Sequence, residues 1–259
     1  MLIIQPGSAS AVKKFDRNMQ ELKALMAFHT QVSQHPLPNP VTRDYYDANI
    51  LIKHGIVFLV TCWEDYVKSL LEEAFSFILA RANTPDMFPK NVQMSAAELL
   101  PQESKFATEV WHRSDEWKKD IWRLTTEWQQ LLTKHQAAKV SKSQSPRPEA
   151  VEELFYQVLG MKHLSQSWFW PTMTTEKVKL CLNTLIDLRG DLVHKNVSYR
   201  PVEIADIDYF SLFVNQLAGI SGNTVRNYIY ARTTELPWAE NEVFDLTSTF
   251  DPRRCTLRR

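Results

Sequence analysis

Arg189 and His194 are the two residues whose types and spacing point to chemistry. They stand five positions apart in Leu188-Arg189-Gly190-Asp191-Leu192-Val193-His194-Lys195-Asn196. Arginine is always protonated and presents a planar fork of donors. Histidine is the side chain whose ordinary pKa lies nearest neutral pH. A fixed cation beside a group that titrates near pH 7 is suited to acid–base work on an anionic substrate. The setting sharpens this reading. Val178, Cys181, Leu182, Leu185, Leu188 and Leu192 recur at spacings of three and four, the apolar face of a helix, and Arg189 falls within that stripe. A permanent charge there is costly unless something anionic, or a polar interface, receives it.

The elements that must carry these residues are helices. The chain has only six glycines, and turns of the Asn-Gly kind that join β-hairpins are nearly absent. Prolines cluster at Pro36, Pro38 and Pro40, at Pro85, Pro89 and Pro101, and at Pro146 and Pro148. Between them lie long stretches rich in Leu, Ala, Glu, Lys and Gln, the strong helix formers. Helices are predicted over 11–33, 43–82, 103–136, 149–159, 174–196 and 202–230, with a short helical turn over Ser95 to Leu100. The 43–82 segment is apolar around much of its middle, which makes it a central helix. The stretch from about Glu235 reads as irregular, framing the fold or docking on a partner.

Composition bounds the answer further. At 259 residues the chain can bury a good core, and 44% hydrophobic with 23% charged residues is ordinary for a globular protein. The formal net charge is zero, so a nucleic-acid partner would need a local basic patch rather than a global field. Cys62, Cys181 and Cys255 are odd in number and widely spaced, which predicts buried free thiols in a reducing cytoplasm. The apolar run around Ile56 to Val60 is too short to span a bilayer, and Met1 to Pro6 lacks the features of a signal peptide. No zinc spacing, Gly-rich phosphate loop, G-x-S-x-G elbow or H-E-x-x-H motif competes with the Arg–His pair. The expectation is a cytoplasmic protein with no metal, no cofactor and no membrane segment.

Arg, four residues, then His at the end of a long helix resembles the R-x4–6-H motif of HEPN domains, many of which are ribonucleases. The Ile50 to Ala80 helix, with Trp63-Glu64-Asp65-Tyr66 in its middle, is similar to the earlier core helix of HEPN nucleases from toxin–antitoxin and phage-defence loci. The resemblance covers 41–82 and 148–230. It implies an all-α fold: one HEPN-like helical bundle spanning 1–259, with an N-terminal helix, a Trp-rich helical insertion over about 83–147 and an irregular tail over about 235–259. It also implies RNA cleavage without metal, with the 2′-hydroxyl beside the scissile phosphate as nucleophile. His194 would be the general acid/base and Arg189 the stabiliser of phosphate and transition state. In the family two protomers join their motifs across a two-fold axis, so a homodimer with a composite site is implied, together with an antitoxin or defence-system partner protein. This sequence places Gly190 directly after the arginine, where many members carry Asn, Asp or His; Asp191 follows one later.

Each of these residues also has a plainer reading. On an ideal helix, residues five apart differ by ~140° around the axis, so Arg189 and His194 do not share a face. A helix weakened at Gly190 or ending near His194 would reconcile them, and so would a composite site. Alternatively, Arg189 pairs with Glu64 or Asp191, and His194 caps the helix C-terminus, where the dipole favours a cation. Lys195 is a candidate phosphate contact and Asn196 a candidate C-cap. Glu64 is a candidate to orient Arg189 or His194, set against an ordinary salt-bridge role. Trp111, Trp117, Trp122 and Trp128 alternate with basic residues; packing is the first reading, a stacking platform for RNA bases the second. Lys134 to Pro148 reads as an exposed loop or, functionally, as a guide for a phosphate backbone. Arg253, Arg254, Arg258 and Arg259 form a basic tail. Two functions follow: a metal-independent endoribonuclease, or a catalytically silent HEPN-like dimer that binds a partner protein or RNA.

Overall fold

A computed structural model describes residues 7–34, 49–93, 117–118, 147–194, 202–243 and 255 (of 49 and 194, the backbone alone). Its helices are α1 (Ser10–Gln34), α2 (Asn49–Arg81), α3 (Pro148–Leu159), α4 (Thr175–His194) and α5 (Ile204–Thr233). Among the described residues there is no strand, only one isolated bridge between Trp170 and Met173. The all-α expectation holds. Described helix boundaries fall within a few residues of the predicted ones, except that the described part of α2 begins at Asn49 rather than 43. The turn expected over Ser95 to Leu100 lies outside the described residues, as does most of 103–136.

α2 is the hub. Ile56, Leu59, Trp63, Leu70, Ala74 and Phe75 are fully buried along its length, so it is covered on nearly all sides, as its apolar middle required. α1 buries a single stripe, Ala11, Phe15, Met19, Leu22, Met26 and His29, at spacings of three and four. It runs antiparallel to α2: Phe15 stacks on Tyr66 at 5.1 Å, while Met26 meets α2 at Gly55. Gly55 makes the approach close: a Cβ there would stand 2.6 Å from the tip of the Ile207 side chain of α5 and 3.0 Å from that of Met26, which would have to shift. The orphan amides at the start of α1 go to another helix: Ser10 and Ala11 each donate at 2.9 Å to the Glu73 carboxylate of α2.

Local rules explain the remaining boundaries. α3 opens on Pro148 and closes at Gly160, whose φ of 71° is the left-handed conformation that lets its N–H reach back to Phe155 and Tyr156. α5 opens on a capping box between Glu203 and Asp206. The segment before α4 anchors that helix by packing. Trp168 does so, fully buried, edge-on to Trp63 at 6.1 Å and donating to Ser221 of α5 at 3.0 Å; Trp170 is buried as well, whereas Phe169 is exposed. From Thr234 to Val243 the chain is irregular but pinned. Trp238 is buried, its carbonyl accepts from Arg226 at 2.9 Å, and Asn241 donates its backbone N–H to Asn223 at 2.7 Å. This stretch frames the bundle. Trp117 is buried, in line with packing, while Trp111, Trp122 and Trp128 lie outside the described residues.

Candidate active site

α4 carries the site, and its register is the one its hydrophobic spacing required. Val178, Cys181, Leu182, Leu185 and Leu188 are fully buried and Leu192 nearly so. Arg189 is half-buried next to this stripe. Its Nε is buried and has no hydrogen-bond partner. Among the described residues no ion pair reaches Arg189. The pairing with Glu64 that would have made Arg189 structural is therefore not formed. Glu64, half-buried on α2, itself keeps Oε1 buried and without a partner. α2 and α4 pack on one another, so each of two helices in contact carries one buried polar atom without a partner. A buried donor left without an acceptor costs about 1–3 kcal/mol, more when charged.

Gly190 does not interrupt the helix. α4 is continuous from Thr175 to His194. Nothing among the described residues requires a glycine there, because a Cβ at Gly190 would meet no atom within 4 Å. The space next to Arg189 is open on that side. With the helix unbroken, the backbone positions of Arg189 and His194 stay ~140° apart around the axis. Asp191 is half-buried one residue beyond Gly190. Lys195 and Asn196 lie outside the described residues, as do Arg253, Arg254, Arg258 and Arg259.

The cysteines depart from expectation. Cys62 is the buried free thiol foreseen, and burial, reinforced by Asp65 and Glu21, pushes it up to about 12. Cys181 and Cys255 are not free: they form a disulfide with Cα atoms 4.7 Å apart. Cys181 sits on the buried face of α4, two turns before Arg189. Around the bond, Tyr209 of α5 places its hydroxyl 2.9 Å from the Cys255 sulphur, and Thr184 of α4 donates to the Cys255 carbonyl at 2.9 Å. Nothing local in the sequence signals this pairing, since the two cysteines are 74 residues apart.

A cavity of about 310 Å³ opens elsewhere, between α1, α2, α5 and the strap after α5. Its polar walls include Asp16, Tyr66, Asn215, Glu240 and Glu242, and none of its lining comes from α4. Burial raises the Asp16 carboxyl above its ordinary value, with Lys23 opposing. This cavity is separate from Arg189. Sequence reading missed it because its residues come from four distant stretches.

Among the described residues no helix is long and apolar enough to cross a membrane, and no group of three His, Cys, Asp or Glu stands ready to hold a metal ion. A family model described as RiboL-PSP-HEPN matches residues 13–220 of this chain. No curated protein and no solved structure matches it. The matched span takes in α1, α2, the whole of α4 with its Arg–x4–His motif and the first half of α5; the chain belongs to the RiboL-PSP-HEPN family.

Proposed function

We propose that this protein is a metal-independent endoribonuclease that acts as a homodimer in the cytoplasm, as a toxin or antiviral-defence effector. The observation that carries the reading is the buried, unpartnered Nε of Arg189 on an unbroken helix, next to open space at Gly190. A phosphate is the acceptor that such a guanidinium fits best, through paired charge-assisted hydrogen bonds.

The chemistry assigns a role to each residue. His194 takes the proton from the RNA 2′-hydroxyl, the 2′-oxygen attacks the adjacent phosphorus, and the bond to the 5′-oxygen breaks. Arg189 holds the non-bridging oxygens as negative charge builds on them. The leaving 5′-oxygen needs a proton, and one imidazole cannot both take and give in the same step. A second His194 from the other protomer supplies it, which agrees with the ~140° that separates Arg189 from His194 on one helix. Lys195 is assigned a phosphate contact, and Asp191, Asn196 and Glu64 auxiliary positioning of the motif. An antitoxin or defence-system partner would restrain the activity.

Incubation with total cellular RNA in EDTA tests this, with Arg189→Ala and His194→Ala at matched folding. Cleavage by the wild type alone supports the nuclease. A catalytically silent dimer binding a partner protein or RNA is the second reading. Gly190 after the arginine and the zero net charge favour it; absence of cleavage from all three proteins, with a dimer that weakens in Arg189→Ala, would select it.

A further inference from the structure

The disulfide between Cys181 and Cys255 touches the motif helix directly, and its surroundings are more than two sulphurs in proximity. Both cysteines are buried. The Cys255 backbone is held by Thr184, one turn along α4, and its sulphur by Tyr209 of α5, whose hydroxyl also lies 3.9 Å from the Cys181 sulphur. Arg189 follows Cys181 by eight residues, about 12 Å along the axis. The bond thus ties a residue from beyond α5 onto the stretch of α4 that leads into the motif. The third thiol does not interfere: Cys62 is buried on α2, and its raised pKa leaves it protonated and inert in exchange.

We propose that Cys181 and Cys255 form a reversible covalent latch that sets the order of α4, so that the thiol redox state of the surroundings regulates the Arg189 site. The inference rests on the reading that α4 carries the reactive arginine.

The exchange balances with a low-molecular-weight disulfide such as oxidised glutathione. The Cys255 thiolate attacks it, forming a mixed disulfide and releasing one thiolate. The Cys181 thiolate then attacks the Cys255 sulphur and releases the second. Two protein thiols are oxidised, the small disulfide is reduced to two thiols, and the two protons pass to the released thiolates. The docking contacts of Thr184 and Tyr209 raise the effective concentration of one thiol at the other and favour closure.

The test uses the full chain equilibrated with reduced and oxidised glutathione in varying ratio. Thiols counted in denaturant go from one in the latched state to three when reduced, through a single two-electron midpoint. Amide exchange over Cys181 to His194 quickens on the order of tenfold on reduction. The melting temperature falls on the order of 10 °C. Cys255→Ser, which leaves the buried face of α4 untouched, reproduces the reduced state under all ratios, and Cys62→Ala lowers each thiol count by one while leaving the redox midpoint unchanged. RNA cleavage, where present, is lost with the same midpoint. Three thiols at every ratio, or one thiol that native protein never surrenders to reduced glutathione, overturns the latch. Cleavage indifferent to the redox ratio overturns its regulatory role. No cleavage in any state, with thiol count and exchange behaving as stated, leaves the latch standing and sinks the nuclease reading instead.

Discussion

Arg189 of α4 and Glu64 of α2 stand on helices that pack together, and each keeps a buried polar atom with no hydrogen-bond partner. Among the described residues the two side chains form no ion pair with each other. Arg189→Met keeps the length of the stem and removes the orphaned donor. It is expected to raise the unfolding free energy by about 1 kcal/mol while abolishing RNA cleavage, the usual opposition of stability and function at a site. Urea titration of the variant beside wild type decides it: a loss of about 2 kcal/mol or more would show that Arg189 has a structural partner after all.

Gly190→Ala places a methyl group where no described atom lies within 4 Å, inside a continuous helix. Glycine within a helix costs about 0.5–1 kcal/mol relative to alanine. The variant should therefore be more stable by that amount, with its denaturation midpoint shifted upward and its slope unchanged. Destabilisation instead would mean that the space next to Arg189 is filled by a partner chain.

The Cys62 thiol is pushed up to about 12 by burial, from an ordinary value of 9.0. Between those pH values the folded chain holds a proton that the unfolded chain has lost. The contribution of Cys62 to stability is thus complete below pH 9 and lost as pH rises towards 12. Cys62→Ala should flatten the fall in stability over this window, read by urea midpoints at stepped alkaline pH. Native protein should resist alkylation at Cys62 near pH 8; rapid labelling there would show the thiol to be accessible.

Glu73 accepts the first two amides of α1 from a helix some sixty residues away in sequence. Glu73→Ala removes both acceptors and a negative charge from the positive end of α1. The expected cost is about 1–2 kcal/mol, with faster amide exchange confined to the first turns of α1. Glu73→Gln, which keeps one acceptor, should fall between; exchange that rises equally along all helices would contradict a local capping role.

Secondary structure was legible because its causes are local. Pro148 and Gly160 marked the ends of α3, and the spacing of Val178, Leu182, Leu185 and Leu188 set the buried face of α4, each through interactions within a few residues. The Arg189–His194 motif was legible for the same reason: it is a spacing on one helix. The match over residues 13–220 shows that the family, too, was legible in the sequence.

Tertiary structure decided what depends on residues far apart in the chain. The Cys181–Cys255 pairing, the Glu73 cap on α1 and the Tyr66 hydroxyl donated to the Ala218 carbonyl of α5 join positions 74, 62 or 63, and 152 residues apart. No periodicity encodes such contacts, because they arise only when helices settle into particular registers on α2. The same holds for the most informative property of Arg189. Its position in an apolar stripe could be read from spacing alone; that neither Glu64 nor any other described side chain pairs with it could not. That absence depends on how two helices fall against each other, to within the reach of one hydrogen bond.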